Sequence, residues 1–424
     1  MFVKQSWPDR LQSLALIGIA VLPLSLLLFP DVGEAIYTLV TLAGLIMLLR
    51  EGLAPEERDK LFLVSLLTLL FFAVAALSIV ASGDYAGWFK PLKKLSKLLA
   101  TPFVALVLLR ANIAPRNFIL IAKVSVLVLF LVALYQFVVL HNIRPGGATS
   151  PLQFAHVSLL LGYCSLIALP TETARQRILS LGAFGAGFMA TLLSQSRIEW
   201  INAFILLPVL ILVWKRSGLL TKEVAWIVSC ALLSLLLFAL SMPFVHERVD
   251  TALGEYEMFH DQAAWNNSIG QRLLMWESGL KAAIKKPVLG WGIHRSQQAA
   301  VAELSDPLER STLIEHHNLH NEYVNTLVAK GIVGLLSLFA LLFIPLTIYF
   351  ANAADKNLVV YTGSGILLCV AYAVSGLTYQ AFGDATMNSL FVIVLSYTLT
   401  AVDNRPFAVR WPFGRVSSAA TDIS

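Results

Sequence analysis

Apolar runs close to twenty residues long recur along most of this 424-residue chain. A helix needs ~20 apolar residues to cross the hydrocarbon core of a bilayer. Hydrophobic residues make up 57% of the sequence and charged residues only 13%, whereas about a quarter of the residues in soluble domains are charged. The sequence therefore predicts an all-α integral membrane protein that crosses the bilayer many times. Its net charge of +5 gives no reason to expect a nucleic-acid partner.

The hydropathy pattern predicts about twelve transmembrane helices. They cover residues 11–29, 35–50, 61–83, 95–110, 118–140, 154–170, 179–195, 199–214, 223–243, 323–350, 358–377 and 386–402. The chain is thus expected to divide into four parts, which are helices 1–9 (residues 1–243), a long loop segment (244–320), helices 10–12 (321–402) and a tail (403–424). No small-residue cleavage site follows the first span, so we expect it to remain uncleaved.

The distribution of Lys and Arg predicts the orientation in the membrane. With the N-terminus inside, the inner segments carry sixteen of these residues and the short outer loops six. The segment 244–320 is left out, because long loops cross the membrane regardless of charge. We therefore expect both termini in the cytoplasm and the long segment in the periplasm. All eight histidines then fall on or near the periplasmic side.

The long segment contains one clear amphipathic helix, SIGQRLLMWESGLKAAIKKPVLGWG (268–292). Its apolar positions at helical spacing are predicted to pack on the bundle or lie at the membrane interface; they are Leu273, Trp276, Leu280 and Ile284. Arg272 lies near its start, where an acidic residue would suit the helix dipole better. Two interpretations stay open: a solvated arginine paired with Glu277 or a loop acid, or an arginine that grips a phosphate through two hydrogen bonds.

A second basic stretch, WFKPLKKLSKLL (88–99), lies between predicted spans three and four. Its four lysines alternate with apolar residues, as in a helix that lies at a membrane surface; they are Lys90, Lys93, Lys94 and Lys97. Generic attraction to anionic lipids explains this pattern. Contact with phosphate-bearing lipid substrates is the sharper alternative.

A motif at the start of predicted span ten resembles that of O-antigen ligases. His320 and Asn321 are followed by nine residues and then by Gly331-x-x-Gly334. Four further stretches are similar to segments of the same family: RPGGATSPLQFAH (144–156), SQSRIEW (194–200), QRLLMW (271–276) and PVLGWG (287–292). The resemblance covers roughly residues 140–335 and extends to O-antigen polymerases and O-linked oligosaccharyltransferases.

The resemblance implies an inverting glycosyltransferase of the integral-membrane GT-C-like class that works without a metal or other cofactor. The donor would be a polysaccharide on undecaprenyl diphosphate, and the acceptor a sugar hydroxyl of lipid A-core. Membrane lipids would be its other contacts. The reaction would take place at the periplasmic face of a bacterial inner membrane, in lipopolysaccharide biosynthesis.

The residues themselves suit that chemistry. Arg197 and Arg272 would stabilise the negative charge of the departing diphosphate. His320 would act as the general base towards the acceptor hydroxyl. Substrate contacts are predicted for the four lysines together with Arg144, His316, His317 and Asn321. Gly331 and Gly334 are predicted to be structural, because small residues let helices approach closely.

Other interpretations of these residues are weaker. His316 and His320 are spaced like a metal-binding pair, but Glu315 precedes His316 and no third ligand follows at a known spacing. Asp384 suits a helix cap, and Glu199 has no assigned role. A transporter of a lipid-linked anion is disfavoured, because the predicted spans look nearly uncharged apart from Lys123 and Lys330.

Overall fold

The computed structural model describes residues 9–83, 85, 87–262, 267–316 and 318–402. These residues form helices and connecting loops, with no strand among them. Seventeen α-helices follow one another along the described chain. They are α1 (Asp9–Leu28), α2 (Pro30–Glu51), α3 (Pro55–Ser82), α4 (Phe89–Leu95), α5 (Thr101–Ala111), α6 (Pro115–Val138), α7 (Pro151–Leu166), α8 (Ala174–Leu193), α9 (Arg197–Arg216), α10 (Lys222–Leu240), α11 (Pro243–Gln262), α12 (Ser268–Lys285), α13 (Ser296–Val301), α14 (Pro307–Glu315), α15 (Glu322–Asn352), α16 (Val359–Ser375) and α17 (Ala385–Leu399).

Among the described residues, nine helical segments are long and apolar enough to cross a membrane. Two shorter apolar helices, Ile17–Leu28 and Ala385–Leu399, accompany them. The all-α integral membrane class is thereby confirmed, while the number of twelve spans stays a prediction. Each predicted span coincides with a helix, although the fourth is split into a 3₁₀ turn (Ser96–Ala100) and α5.

The centre of the bundle is formed by α7, α16 and α17. These helices are buried along nearly their whole length, whereas α10 is mostly exposed at the periphery. Ser150 caps α7, its hydroxyl accepting a hydrogen bond from Gln153 N–H, and Asp384 caps α17 by accepting from Met387 N–H at 3.1 Å. The capping role proposed for Asp384 is confirmed.

Helices α11–α14 lie between α10 and α15. The predicted amphipathic helix is confirmed as α12, but its main buried face is not the predicted apolar stripe. Leu280 and Ile284 are exposed, and the opposite face packs on α15 and α13; it consists of Gly270, Leu274, Met275, Ser278, Gly279, Ala282 and Ala283. Small residues hold this face close to α15, since a Cβ on Gly279 would lie 2.9 Å from the Leu319 and Val324 side chains. Hydropathy alone could not find a face built on glycine, alanine and serine.

Helix α15 is broken at Gly331, where the backbone takes φ 65° and ψ −165°. The loop after α12 fills the break with backbone hydrogen bonds, from Trp291 N–H to Val328 O and from Gly292 N–H to Ala329 O, both at 2.9 Å. In the other direction, Ile332 N–H donates to Pro287 O at 2.8 Å. An interrupted membrane helix is tolerated where protein groups satisfy its free backbone groups. The PVLGWG stretch (287–292) therefore supplies the hydrogen-bond partners of the backbone groups that the α15 break leaves free.

The two glycines act through this break rather than through the predicted approach of two helices. A Cβ on Gly331 would lie 2.2 Å from Val288 O, and one on Gly334 would lie 2.2 Å from the Cβ of Lys330 in the same helix. Positive φ is a conformation that glycine adopts at little cost. The second half of the sequence motif therefore fixes the bend of α15 below His320.

Candidate active site

Four arginines converge at one end of the bundle. Arg197 is the first residue of α9, Arg248 lies on α11, Arg272 lies on α12, and Arg144 lies in the loop before α7. We call these four residues the arginine site. Sequence reasoning named three of them and missed Arg248. The signal that could have found it is its position seven residues before Glu255, on the same face of an amphipathic helix.

The charges of the arginine site act on one another. The pKa of Arg272 is lowered by desolvation and then by the charge of Arg197, while Glu255 raises it. Desolvation likewise lowers the pKa of Arg144, followed by the charges of the other three arginines. A guanidinium still remains protonated at neutral pH. The arginine site therefore concentrates positive charge, and a bound anion would reduce the repulsion between the four guanidiniums.

One carboxylate enters this site in the described part of the chain. Arg197 Nη1 donates to Glu255 Oε2 at 3.0 Å. Arg272 makes no hydrogen bond or ion pair within the described residues, and Glu277, its predicted alternative partner, pairs with Lys281 at 2.7 Å. The interpretation of Arg272 as an arginine paired with Glu277 is therefore wrong. Its hydrogen-bond donors are unused among the described residues.

The side chain of Gln195 connects two segments of the arginine site through hydrogen bonds. It lies in the turn between α8 and α9 with φ 54°. Its side-chain oxygen accepts from Arg248 Nε at 2.9 Å, and its amide nitrogen donates to Ile143 O at 2.9 Å, next to Arg144. The left-handed backbone at Gln195 is thus supported by contacts on both sides. The turn orients arginines from three separate segments.

His320 lies beside this site in a left-handed backbone conformation, with φ 45°. Its N–H donates to Asn318 Oδ1 at 2.8 Å. The rings of His320 and His316 lie edge to face with centroids 5.2 Å apart, and His316 Nε2 is 3.2 Å from Gln271 Oε1, next to Arg272. The start of α12 and the start of α15 thereby place a histidine pair next to a guanidinium. The predicted catalytic residues Arg197, Arg272 and His320 come together in one place.

The environment of His320 keeps its imidazole neutral. Burial, followed by the charges of His316 and Arg272, lowers its pKa to about 4 from an ordinary value of 6.5. A neutral imidazole has a lone pair available to accept a proton. Binding of an anion at Arg272 would offset part of this effect and raise the pKa of His320 towards neutrality.

Asn321 caps α15. Its side-chain oxygen accepts from Tyr323 N–H at 2.9 Å and Val324 N–H at 3.0 Å, and its amide nitrogen donates to Leu377 O at 2.9 Å. These bonds orient the start of α15, where His320 lies. The contact with substrate predicted for Asn321 remains a prediction.

The basic stretch 88–99 forms α4 and the 3₁₀ turn after it, as predicted for a helix. Lys90 and Lys93 are exposed, Lys94 is half-buried, and Lys97 pairs with Glu34 at 3.5 Å. Helix α4 packs against the turn Ala381–Gly383, whose Phe382 N–H donates to Glu322 Oε2 at 2.9 Å. The lysines therefore lie on an element that supports the start of α15.

A buried polar group lies beneath the arginine site. We call it the inner cluster, and it consists of His156, Glu199, Asn202 and Ser375. Ser375 Oγ donates to Glu199 Oε1 at 2.5 Å, Asn202 Nδ2 donates to Glu199 Oε2 at 3.0 Å, and His156 Nδ1 lies 2.8 Å from Ser375 Oγ. Each of the four side chains is at most 1% exposed. Glu199, left unassigned by the sequence, is the centre of this group.

The inner cluster fixes the distance between the two sides of the candidate active site. Glu199 lies two residues after Arg197 on α9, while Ser375 ends α16. The next residue, Gly376, accepts from Glu322 N–H at 2.8 Å through its carbonyl oxygen. The last turn of α16 is therefore bonded to the start of α9 and to the start of α15. Arg197 and His320 are held relative to each other by this shared support.

His317 lies outside the described residues, so its predicted contact has no structural description. Within the described ranges, no group of three His, Cys, Asp or Glu side chains is arranged to hold a metal ion. Metal independence stays a prediction.

Two comparisons with known proteins concern the family of this chain. Residues 182–339 match the family model described as O-antigen ligase. This segment is similar to the O-antigen ligase family. The family resemblance seen in the sequence is confirmed over this segment. A protein of Haemophilus influenzae, named only as an uncharacterized protein, is 24% identical over 344 residues, which cover 79% of this chain and 84% of that protein.

The matched segment contains most of the candidate active site. It spans the end of α8, α9 to α14 and the first half of α15, and hence Arg197, Arg248, Arg272, His320 and Gly331. Arg144, His156 and Ser375 lie outside the matched range, as do the lysines of the 88–99 stretch. Members of this family are glycosyltransferase-like membrane enzymes that act on lipid-linked glycans.

Proposed function

We propose that this protein is an O-antigen ligase that transfers a polysaccharide from undecaprenyl diphosphate to a sugar hydroxyl of lipid A-core. The observation that carries the proposal is the arginine site beside a neutral His320. The reaction would invert the anomeric centre, need no metal, and take place at the periplasmic face of a bacterial inner membrane. Both termini would lie in the cytoplasm, with residues 244–320 in the periplasm and 403–424 in the cytoplasm.

The arginine site would bind the diphosphate of the donor. Arginine suits this task because its planar guanidinium donates two parallel hydrogen bonds to phosphate oxygens. Negative charge on the diphosphate grows as the bond to the sugar breaks, so fixed positive charge stabilises the transition state more than the ground state. Arg272 would make the principal contact, because it has no ion-pair partner within the described residues. Arg197, partly neutralised by Glu255, would assist it.

His320 would activate the acceptor. The acceptor hydroxyl oxygen forms the new bond to the anomeric carbon, and its proton passes to His320. The bond between that carbon and the diphosphate oxygen breaks, and undecaprenyl diphosphate leaves with the electron pair. General-base assistance of this kind contributes ~10²–10⁴-fold to a rate.

The remaining predicted residues would surround the two reacting groups. His316, held by Gln271, and His317 would contact the acceptor sugar together with Asn321. Arg144 would extend the diphosphate contact at the rim of the arginine site. Lys90, Lys93, Lys94 and Lys97 would attract the phosphate-bearing lipids towards the start of α15.

Three alternatives compete with this proposal. An O-antigen polymerase or a protein O-oligosaccharyltransferase would use the same donor chemistry with another acceptor. A transporter of a lipid-linked anion would need ionisable groups inside the bundle. The expectation of nearly uncharged spans was incomplete, because Glu199, His156 and Glu322 are buried there. These groups are hydrogen-bonded to neighbouring helices, which supports a fixed scaffold over a moving carrier.

Lipopolysaccharide from a deletion strain tests the proposal. We expect loss of the long ladder on a gel, with polymer retained on its lipid carrier, and recovery with the wild-type gene. Single-repeat product on lipid A-core would identify a polymerase instead. An unchanged ladder with an under-glycosylated protein would identify an oligosaccharyltransferase.

A further inference from the structure

An apolar groove runs between α7, α8, α9 and α10. It encloses about 180 Å³. Tyr163 and Ala203 form its buried floor, while Phe204 and Leu233 on its two rims are 59% and 57% exposed. Among the described residues of its lining, Tyr163 alone has a polar side-chain group, and that hydroxyl already donates to Ala203 O. The groove is therefore apolar throughout and open to the outside of the bundle.

The groove exists because α10 packs loosely against its neighbours. Of the nineteen residues of α10, only Val224, Val228 and Ala239 are buried, and none of them belongs to the stretch 232–236 that borders the groove. An apolar cavity of ~150 Å³ stays free of water and binds benzene. By that comparison the groove accommodates hydrocarbon, about one five-carbon unit of a chain at a time.

Every helix that lines the groove has one end at the arginine site. Helix α7 follows the loop that carries Arg144, and α8 ends just before the turn of Gln195. Helix α9 begins with Arg197, and α10 leads into α11, which carries Arg248. The groove therefore lies below the arginine site on all four of its sides.

The depth of the groove follows from the helical rise of ~1.5 Å per residue. Its lining on α9 lies six to ten residues after Arg197, which is ~9–15 Å along the helix. On α10 the lining ends at Leu236, four residues before the end of that helix. One leaflet contributes ~15 Å to the hydrocarbon core. The groove thus lies within the leaflet whose headgroups are level with the arginine site.

We propose that this groove binds the polyisoprenoid chain of the lipid-linked donor while the arginine site binds its diphosphate. This assignment rests on the proposed function, because it takes the donor from there. A chain whose headgroup is bound at the arginine site is held next to the groove, so its effective concentration there exceeds that of unattached chains. That advantage favours the donor over the acyl chains of the surrounding phospholipids.

Photolabelling of the full-length protein in lipid nanodiscs tests the proposal. The probe is farnesyl diphosphate with a diazirine at the end of its chain, and labelled peptides are mapped by mass spectrometry. We expect label on the lining residues of α9 and α10. Unlabelled undecaprenyl diphosphate should compete, and so should inorganic diphosphate, because it displaces the headgroup that holds the chain in place. Phosphatidylglycerol at the same concentration should not compete.

A matched pair of variants locates the chain. Leu233→Trp fills the groove from its rim and should lower labelling ~10-fold, the effect of losing roughly two buried methylene groups. Leu237→Trp lies on the same helix, is equally exposed at 59% and is absent from the lining, so it should label like the wild type. Inorganic diphosphate should bind Leu233→Trp as tightly as the wild type in calorimetry.

The labelling needs neither acceptor nor turnover, so its result is separate from the lipopolysaccharide test. Label outside α9 and α10, equal competition by phosphatidylglycerol, or equal labelling of the two tryptophan variants would overturn the groove assignment and leave the transferase proposal standing. A parallel loss of diphosphate binding in Leu233→Trp would also overturn it. An unchanged lipopolysaccharide ladder in the deletion strain would overturn the transferase proposal instead.

Discussion

The arginine site and the inner cluster meet within one turn of α9, at Arg197 and Glu199. Charge is compensated in the inner cluster and left in excess in the arginine site. In the inner cluster, the one carboxylate is bonded to donors from its own helix and from α16, and every member is buried. In the arginine site, four guanidiniums share one carboxylate among the residues that the structure describes, and they remain at least partly exposed. Buried charges persist when they are paired and hydrogen-bonded. Charge that is left in excess at an accessible position indicates ligand binding.

The largest effect on activity is expected at His320, beside the arginine site. Its substitution tests whether the reaction takes place at the accessible arginine site, as distinct from the buried inner cluster. His320→Ala should lower turnover by ~10²–10⁴-fold, because the acceptor proton loses its base. Donor binding and the melting temperature should change little, as measured by binding of radiolabelled donor and by thermal unfolding of the purified protein. His320→Gln keeps hydrogen bonding but cannot take the proton at neutral pH. Substantial turnover in that variant would replace the base by a positioning role.

A slightly smaller loss is expected at Arg272. Arg272→Ala should lower kcat by ~10²–10³-fold, because a fixed positive charge at the diphosphate is removed, and Arg272→Lys should recover only part of it. Arg197→Ala should behave similarly. Lys281→Ala, on the exposed face of the same helix as Arg272, is the matched control and should stay near wild type. Activity assays at matched expression decide between a diphosphate contact and a solvated arginine.

Gly331→Ala should have the opposite effect to the His320 and Arg272 substitutions. It should lower the stability of the fold and leave the predicted catalytic side chains unchanged. A left-handed backbone and an oxygen 2.2 Å from the new Cβ should lower the free energy of unfolding by about 1–3 kcal/mol. Gly182→Ala on α8 is the control, since no atom lies within 4 Å of its Cβ. Thermal unfolding of the two variants measures the difference. Equal stability would mean that the α15 break is not fixed by this glycine.

The pH profile should show the depressed pKa of His320. The base works only when neutral, so activity is lost as pH falls through its pKa. For the free enzyme, kcat/KM should fall to half near pH 4, matching a pKa of about 4. The kcat profile should fall at a higher pH, because the bound diphosphate offsets the charge of Arg272. Coincident acid limbs would show that the two groups are not coupled in the complex.

No change is expected on removal of divalent metal ions. If the arginine site supplies the positive charge that the diphosphate needs, activity of the purified protein should survive excess EDTA. Inactivation by EDTA that one specific metal reverses would restore the interpretation of His316 and His320 as ligands. It would also mean that the arginine site alone is insufficient.

The contrast between the two regions also shows what sequence reasoning can reach. His320, Arg197 and Arg272 were predictable, because each lies in a stretch that resembles O-antigen ligases and their chemistry suits a diphosphate donor. Arg248 was missed, since α11 lies in a segment with little hydropathy signal. His156 and Ser375 were missed as members of one cluster, because they are 219 residues apart. The small-residue face by which α12 packs was not predicted, since its glycines and alanines carry almost no hydrophobic signal.

The sequence by itself determined the all-α membrane class, the approximate position of each long apolar helix and, through its family-like motifs, the identity of the main charged candidates. The class and the helix positions follow from local composition, because a membrane span must be long, apolar and internally hydrogen-bonded. Only the tertiary structure decided which residues meet. It brought α9, α11 and α12 together at the arginine site, paired the 287–292 loop with the break at Gly331, and centred the inner cluster on Glu199. These contacts join residues far apart in the chain, and their geometry depends on packing that no local pattern encodes.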